Sequence, residues 1–179
     1  MRLPSFTILN FYIRNGKNKS NKEEKVGMLS GDNMENKEWV YNHFPDTLCK
    51  KRWQEGCLFF YLLDNYNQPC SFAWFRKGHK HFVGEINKTV TFPFDVNCIF
   101  DCITPSQYRG KGYYPRLISW ISAKESSRPS MIYANNSNIA SNKGILKVGF
   151  KLTHKAYKFL KFVKISPINK EQINIYVQD

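Results

Sequence analysis

Acidic residues are scarce in this chain. It carries 14 Asp and Glu against 27 Lys and Arg over 179 residues, a formal charge of +13. That excess disfavours cationic ligands and favours nucleotides, phosphorylated cofactors, nucleic acid or an acidic membrane surface. Part of it is compositional, in a sequence also rich in Asn, Ile and Phe. Long apolar runs are missing as well: nothing approaches the ~20 residues that cross a bilayer. The stretch nearest the start, Phe6 to Ile13, is interrupted by Asn10 and lacks a small-residue cleavage site, so it reads as a first strand rather than a signal peptide. Paired cysteines are absent too. Cys49, Cys57, Cys70, Cys98 and Cys102 are odd in number, contain no Cys-x-x-Cys, and form no zinc-like spacing with His43, His79, His81 or His154. Buried free thiols in a reducing cytoplasm are the expectation, with no metal.

What is there suffices for one core. Hydrophobic residues make up 42% and aromatic residues 16% of the chain, which excludes wholesale disorder. Length and the lack of a dividing linker predict a single domain over 1–179. Residues 5–14 read as a strand, Asn15 to Glu24 as a charged loop, Gly31-Asp32-Asn33 as a turn, and Met34 to Phe44 as a helix ending before Pro45. Cys57 to Asp64 and Cys70 to Arg76 are apolar runs flanking Asn65 to Pro69, the pattern of a hairpin. A further strand pair is expected between His81 and Phe94, bent at Pro93.

The second half reads β-α-β-α-β. Val96 to Thr104 is a strand, and Tyr114 to Glu125 a helix with Leu117, Ile118 and Ile121 on one stripe. Ser130 to Ala134 is a strand, Asn138 to Val148 a helix, and strands follow through Phe162 and over Ile173 to Val177. The fold class is α+β, with a mixed, mostly antiparallel sheet flanked by helices.

Between strand and helix lies Tyr108-Arg109-Gly110-Lys111-Gly112-Tyr113-Tyr114-Pro115. The first N–H groups of a helix lack intrahelical partners and point at the space before it. Glycines at 110 and 112 remove the Cβ atoms that would hold a ligand off the backbone. With the positive end of the helix dipole this makes a phosphate cradle, to which Arg109 and Lys111 add charge. Pro115 suits the first turn, where its missing donor costs nothing.

This stretch resembles motif A of the GNAT superfamily of N-acetyltransferases, [R/Q]-x-x-G-x-[G/A], with Arg109 first and Gly112 second. Tyr114 stands where the family has Gly or Ala, a departure that either crowds the diphosphate or repositions the helix. Asn138-Ile139-Ala140-Ser141, followed by Lys147-Val148-Gly149-Phe150, resembles motif B at the usual separation. The likeness covers residues 96–155, and earlier ones by strand order only.

The resemblance implies acyl transfer from a coenzyme A thioester, acetyl-CoA above all, to an amine, in a cleft where the fourth and fifth strands of the family splay apart. It places the diphosphate on Gly110, Lys111, Gly112, Tyr113 and Tyr114, with Asn138 and Ser141 lining the cofactor. The pantetheine arm falls on Thr104 with Cys102 nearer the thioester, or on Ile103 with Asp101, according to register. Many members carry a proton-donating Tyr where this chain has Ile145. Tyr133 is the replacement candidate, with Tyr157 behind it, and Asp101 is the candidate base, with Glu85 as alternative. The acceptor expected is a small amine, including an amino sugar or a nucleotide-linked one. The alternatives are an aminoacyl-tRNA acceptor, as in GNAT-type toxins, and a module that binds coenzyme A without chemistry. Lys151, Lys155, Lys158, Lys161 and Lys164, interleaved with Tyr157, Phe159 and Phe162, favour RNA by composition, but strand alternation does not gather all five on one face.

Overall fold

The computed structural model describes residues 6–15, 24–31, 38–168 and 175–178. In chain order the elements are β1 (Phe6–Arg14), β2 (Val26–Leu29), α1 (Glu38–Tyr41), α2 (Asp46–Gln54), β3 (Leu58–Leu63), β4 (Pro69–Val83) and β5 (Lys88–Ile103). They continue with α3 (Tyr113–Lys124), β6 (Ser130–Asn135), α4 (Ile139–Lys147), β7 (Lys151–Phe159), β8 (Phe162–Pro167) and β9 (Tyr176–Gln178). Most of the loop expected at 15–24, the turn at 31–33 and the start of the 34–44 helix lie outside the described residues. Within them that helix is short, Glu38–Tyr41, and α2 follows it. The sequence hides α2 because it has no apolar stripe: Cys49 is its buried residue, and Pro45 stands at its start.

The strands form one sheet in the order β2-β3-β4-β5-β6-β1-β7-β8, with β9 added to β5. β5 and β6 run parallel, and the other described pairings are antiparallel. The first strand therefore lies in the middle of the sheet, between β6 and β7. Its Leu9, Phe11 and Ile13 alternate with Asn10 and Tyr12, which sends side chains to both faces.

Each face has its own core. On one, α1 and α2 cover an aromatic cluster that includes Phe59, Phe72 and Trp74. On the other, α3 buries Leu117, Ile118 and Ile121 completely and α4 contributes Ile145; each such side chain is worth roughly 1.5–3 kcal/mol in transfer free energy. The outer part of the β4–β5 hairpin folds over the first face, where Val83, Ile86, Val90 and Phe92 join the core. Pro93 sits at the bend, where β5 residues 92–95 have no β4 partner in the register, the kind of bulge that tolerates a missing N–H.

Candidate functional site

β5 and β6 part company early. Their pairing is limited to Asn97↔Ser130, Cys98↔Met131 and Ile99↔Ile132, while β5 continues to Ile103 and β6 to Asn135. The parting coincides with a bulge: Trp74 pairs with Phe100 and Phe72 with Ile103, so four residues of β5 face three of β4. Asp101 absorbs the extra residue in the left-handed region, at φ 44°.

The bulge aims the Asp101 carboxylate at α2, where Nη2 of Arg52 donates to it. That guanidinium lies 4.9 Å from the Trp74 ring centroid and 5.1 Å from that of Phe100. Asp101, the expected base, is thus already engaged by an arginine from an element the sequence did not reveal. Glu85, at the tip of the folded-over hairpin, feels the same two charges. Although the residue keeps an exposed surface, desolvation holds its carboxyl above the usual range; a backbone hydrogen bond and Arg52 work against this, and Asp101 adds to it.

Tyr133 of β6 stands beside this group, half-buried, with its ring 5.6 Å from Phe11 and 5.8 Å from His81. Its hydroxyl is 3.4 Å from His81 Nε2. Burial first, and then the nearby negative groups including Glu85 and Asp101, raises the phenol well above its ordinary range, so it keeps its proton. His81 is 5% exposed, and burial, aided by Arg76 and Arg52, pushes its pKa down to about 3. The imidazole is neutral at working pH. Tyr157 pairs with Ile8, three positions along β1 from the Phe11 that pairs with Tyr133. Alternation puts the two tyrosines on opposite faces.

Cys102 keeps its proton as well: burial, then Asp101, raises its thiol above the usual range, whereas a nucleophilic cysteine needs the reverse. Ile103 pairs with Phe72 and packs on the first core. The Thr104 hydroxyl is 3.0 Å from that of Ser71. All five cysteines are free, four of them buried.

Past Thr104 the chain turns through Ser106–Tyr108 in a 3-10 turn to the glycines. Arg109 folds back, its Nε donating to the Thr104 carbonyl at 3.0 Å, and so fastens the turn to the end of β5. Gly110 and Gly112 have φ 75° and 77°, and a Cβ built at either meets no atom within 4 Å. The space those hydrogens face is open, as a cradle requires. Gly112 is the N-cap of α3, without a side-chain cap, so the N–H groups of Tyr113 and Tyr114 have no intrahelical partner. Lys111 lies 5.8 Å over the Tyr108 ring and Tyr113 packs edge-on against the same ring.

Tyr114 does not crowd the turn. It points to α4, its hydroxyl 3.1 Å from that of Ser141, and its ring lies where a side chain at position 144 would go. Asn138 caps α4 by accepting from the Ser141 N–H at 3.1 Å. Next to it, buried Asn142 accepts from the Tyr12 hydroxyl at 2.6 Å and donates to the carbonyls of Asn135 and Asn138, a tie between α4 and the sheet that periodicity does not expose. Ile145 is wholly buried.

The structure gathers Asp101, Glu85 and Tyr133 with Arg52 and His81, which the sequence did not single out for this group, while Cys102 packs against the core on the other face of the sheet. His81 was visible as a polar residue in a strand; Arg52 carried no such signal.

No family profile and no curated protein matches the chain. Solved structures do. A conserved protein of unknown function from Staphylococcus epidermidis superposes with TM-score 0.60 at 14% identity, covering 86% of this chain and 61% of its own. A Novosphingobium aromaticivorans protein assigned to the GNAT family of acetyltransferases gives 0.60 at 16%, covering 87% and 64%. A GNAT-family acetyltransferase from Colwellia psychrerythraea gives 0.58 at 14%, covering 87% and 56%. The chain spans less than two thirds of the length of each of these three. Likeness at such identities is a likeness of fold, and the fold is that of GNAT acetyltransferases. No described helix is long and apolar enough to cross a membrane.

Proposed function

We propose, with the GNAT fold as premise, that this chain is an acyl-CoA-dependent N-acyltransferase that moves an acetyl group from acetyl-CoA to a primary amine of a small molecule. The observation that carries the reading is the parting of β5 and β6 beyond Ile99, with the open glycine turn at the head of the gap. In this reading the thioester arm enters the gap along Cys102, Ile103 and Thr104. Its diphosphate meets the backbone N–H groups from Gly110 to Tyr114, with Arg109 holding the turn in shape and Lys111 adding charge. Asn138 and Ser141 bound the far side.

The amine nitrogen bonds to the acyl carbon as the carbon–sulfur bond breaks. An ammonium must first lose a proton, and a carboxyl with a raised pKa is the better acceptor. Glu85 takes it, beside Asp101, which Arg52 holds in place to face the amine. Tyr133 gives its proton to the departing sulfur, and the second proton, shed by the nitrogen as the amide forms, restores the phenol.

Thiol release from acetyl-CoA against a panel of primary amines and amino sugars tests the reading. Amine-dependent release is expected. Tyr133→Phe should lower kcat at least ~10-fold with a smaller change in KM for acetyl-CoA, the pattern of an interaction made in the transition state. A protein that neither binds coenzyme A in calorimetry nor releases thiol refutes the activity. Wild-type turnover by Tyr133→Phe across the pH range removes Tyr133 as the acid.

A further inference from the structure

Beyond Glu85 lies a second concavity that the acyl-transfer chemistry does not use. The tips of the β4–β5 and β7–β8 hairpins flank an open groove of about 520 Å³ there, bounded by Ile86, Lys88, Lys158, Leu160, Lys161 and Phe162. That volume is in the range of small-molecule sites. Three lysines from two hairpins line it, and its described lining residues include no carboxylate. Lys158 is held in position, its Nζ donating to the Glu85 carbonyl at 3.1 Å, which joins this cavity to the carboxylates beside Tyr133. The Lys161 ammonium lies 5.8 Å from the Phe162 ring centroid.

Leu160 adds a separate observation. It sits in the left-handed region at φ 55°, and its side chain is exposed at the cavity. A turn shaped for folding alone takes Gly or Asn at such a position, as the facing tip does with Asn87 at φ 54°. A bulky apolar residue held there against its own preference and left in water points to a ligand.

We propose that this cavity binds the phosphate-bearing end of the acceptor, a phosphorylated, ring-containing small molecule of about nucleotide size. Phosphate oxygens meet the lysines, the ring lies against Leu160 and Phe162, and the primary amine extends past Glu85 toward Asp101. The amine end of this assignment rests on the acyltransferase reading; the phosphate end does not. A long RNA fits less well, since of the five lysines from 151 to 164 only Lys158 and Lys161 reach the cavity.

Calorimetry with uridine diphosphate on the full chain saturated with coenzyme A tests it, so that the glycine turn is already filled. Uridine diphosphate should bind, and inorganic pyrophosphate more weakly for want of a ring. Lys161→Glu should weaken the nucleotide at least ~10-fold while leaving coenzyme A affinity unchanged, as expected for reversal of a direct phosphate contact. Leu160→Gly should bind it at least ~3-fold more weakly with an unchanged or higher Tm, because strain is relieved as the contact is lost. Failure of uridine diphosphate to bind, wild-type affinity in both variants, or binding of a single-stranded RNA oligonucleotide in its place overturns the assignment. If coenzyme A itself does not bind, the acyltransferase reading fails, nothing competes at the turn, and the nucleotide titration still decides the cavity.

Discussion

At the scale of single residues, His81 couples the site to pH through stability. Its imidazole is buried neutral in the native state, with a pKa pushed down to about 3, and the unfolded chain takes a proton near 6.5. Between these values the unfolded state binds more protons. Stability is therefore lost as pH falls through that window, by up to ~1.4 kcal/mol per unit. Urea midpoints at pH 7 and pH 5 should differ by the equivalent of about 2 kcal/mol from this group, and His81→Gln should remove most of that difference. Parallel pH curves for wild type and variant would count against a buried neutral histidine. The glycine turn was legible in the sequence because its demands are local: positive φ at Gly110 and Gly112, and a helix beginning immediately after. The gathering of polar groups around Tyr133 was not. His81, Glu85, Asp101 and Arg52 lie on different segments, and only a hairpin that folds across the sheet unites them.

At the scale of elements, the seam between α3 and α4 explains a glycine that helix propensity disfavours. A Cβ on Gly144 would stand 3.0 Å from Cδ1 of Tyr114, so the tyrosine that replaces the family's small residue has its space supplied from α4. Gly144→Val should overpack the seam, lower stability by about 1–3 kcal/mol, and weaken coenzyme A binding by displacing the first turn of α3. Tyr114→Ala added to Gly144→Val should recover a large part of both losses. Thermal melts and calorimetry on the single and double variants check this; additive losses would refute the coupling. Helix α3 was readable from its apolar stripe, and α4 from Asn138 before it and Gly149 after it, although of its Ile139, Ile145 and Leu146 only Ile145 is buried. The shortfall at α1 and α2 has a physical reason: α2 buries one small residue and otherwise packs through the flat faces of Arg52 and Trp53, which leave no periodic mark.

At the scale of the whole molecule, the charge of +13 acts on encounter rather than on fold. Acetyl-CoA is strongly anionic, and a positive field raises its local concentration in a way that salt screens. In steady-state assays kcat/KM for acetyl-CoA should fall at least ~3-fold between low and high ionic strength, while kcat changes little. A salt-independent kcat/KM would mean that the lysines are solvated decoration. The sheet order also has a consequence for synthesis. β1 is translated well before its two neighbours, β6 and β7, with four described strands and three described helices between. A nascent chain must therefore carry an apolar strand with both edges unpaired until β6 and β7 have left the ribosome. During that interval β1 is open to pairing with other chains, and the yield of active protein should depend on how fast the rest of the chain arrives.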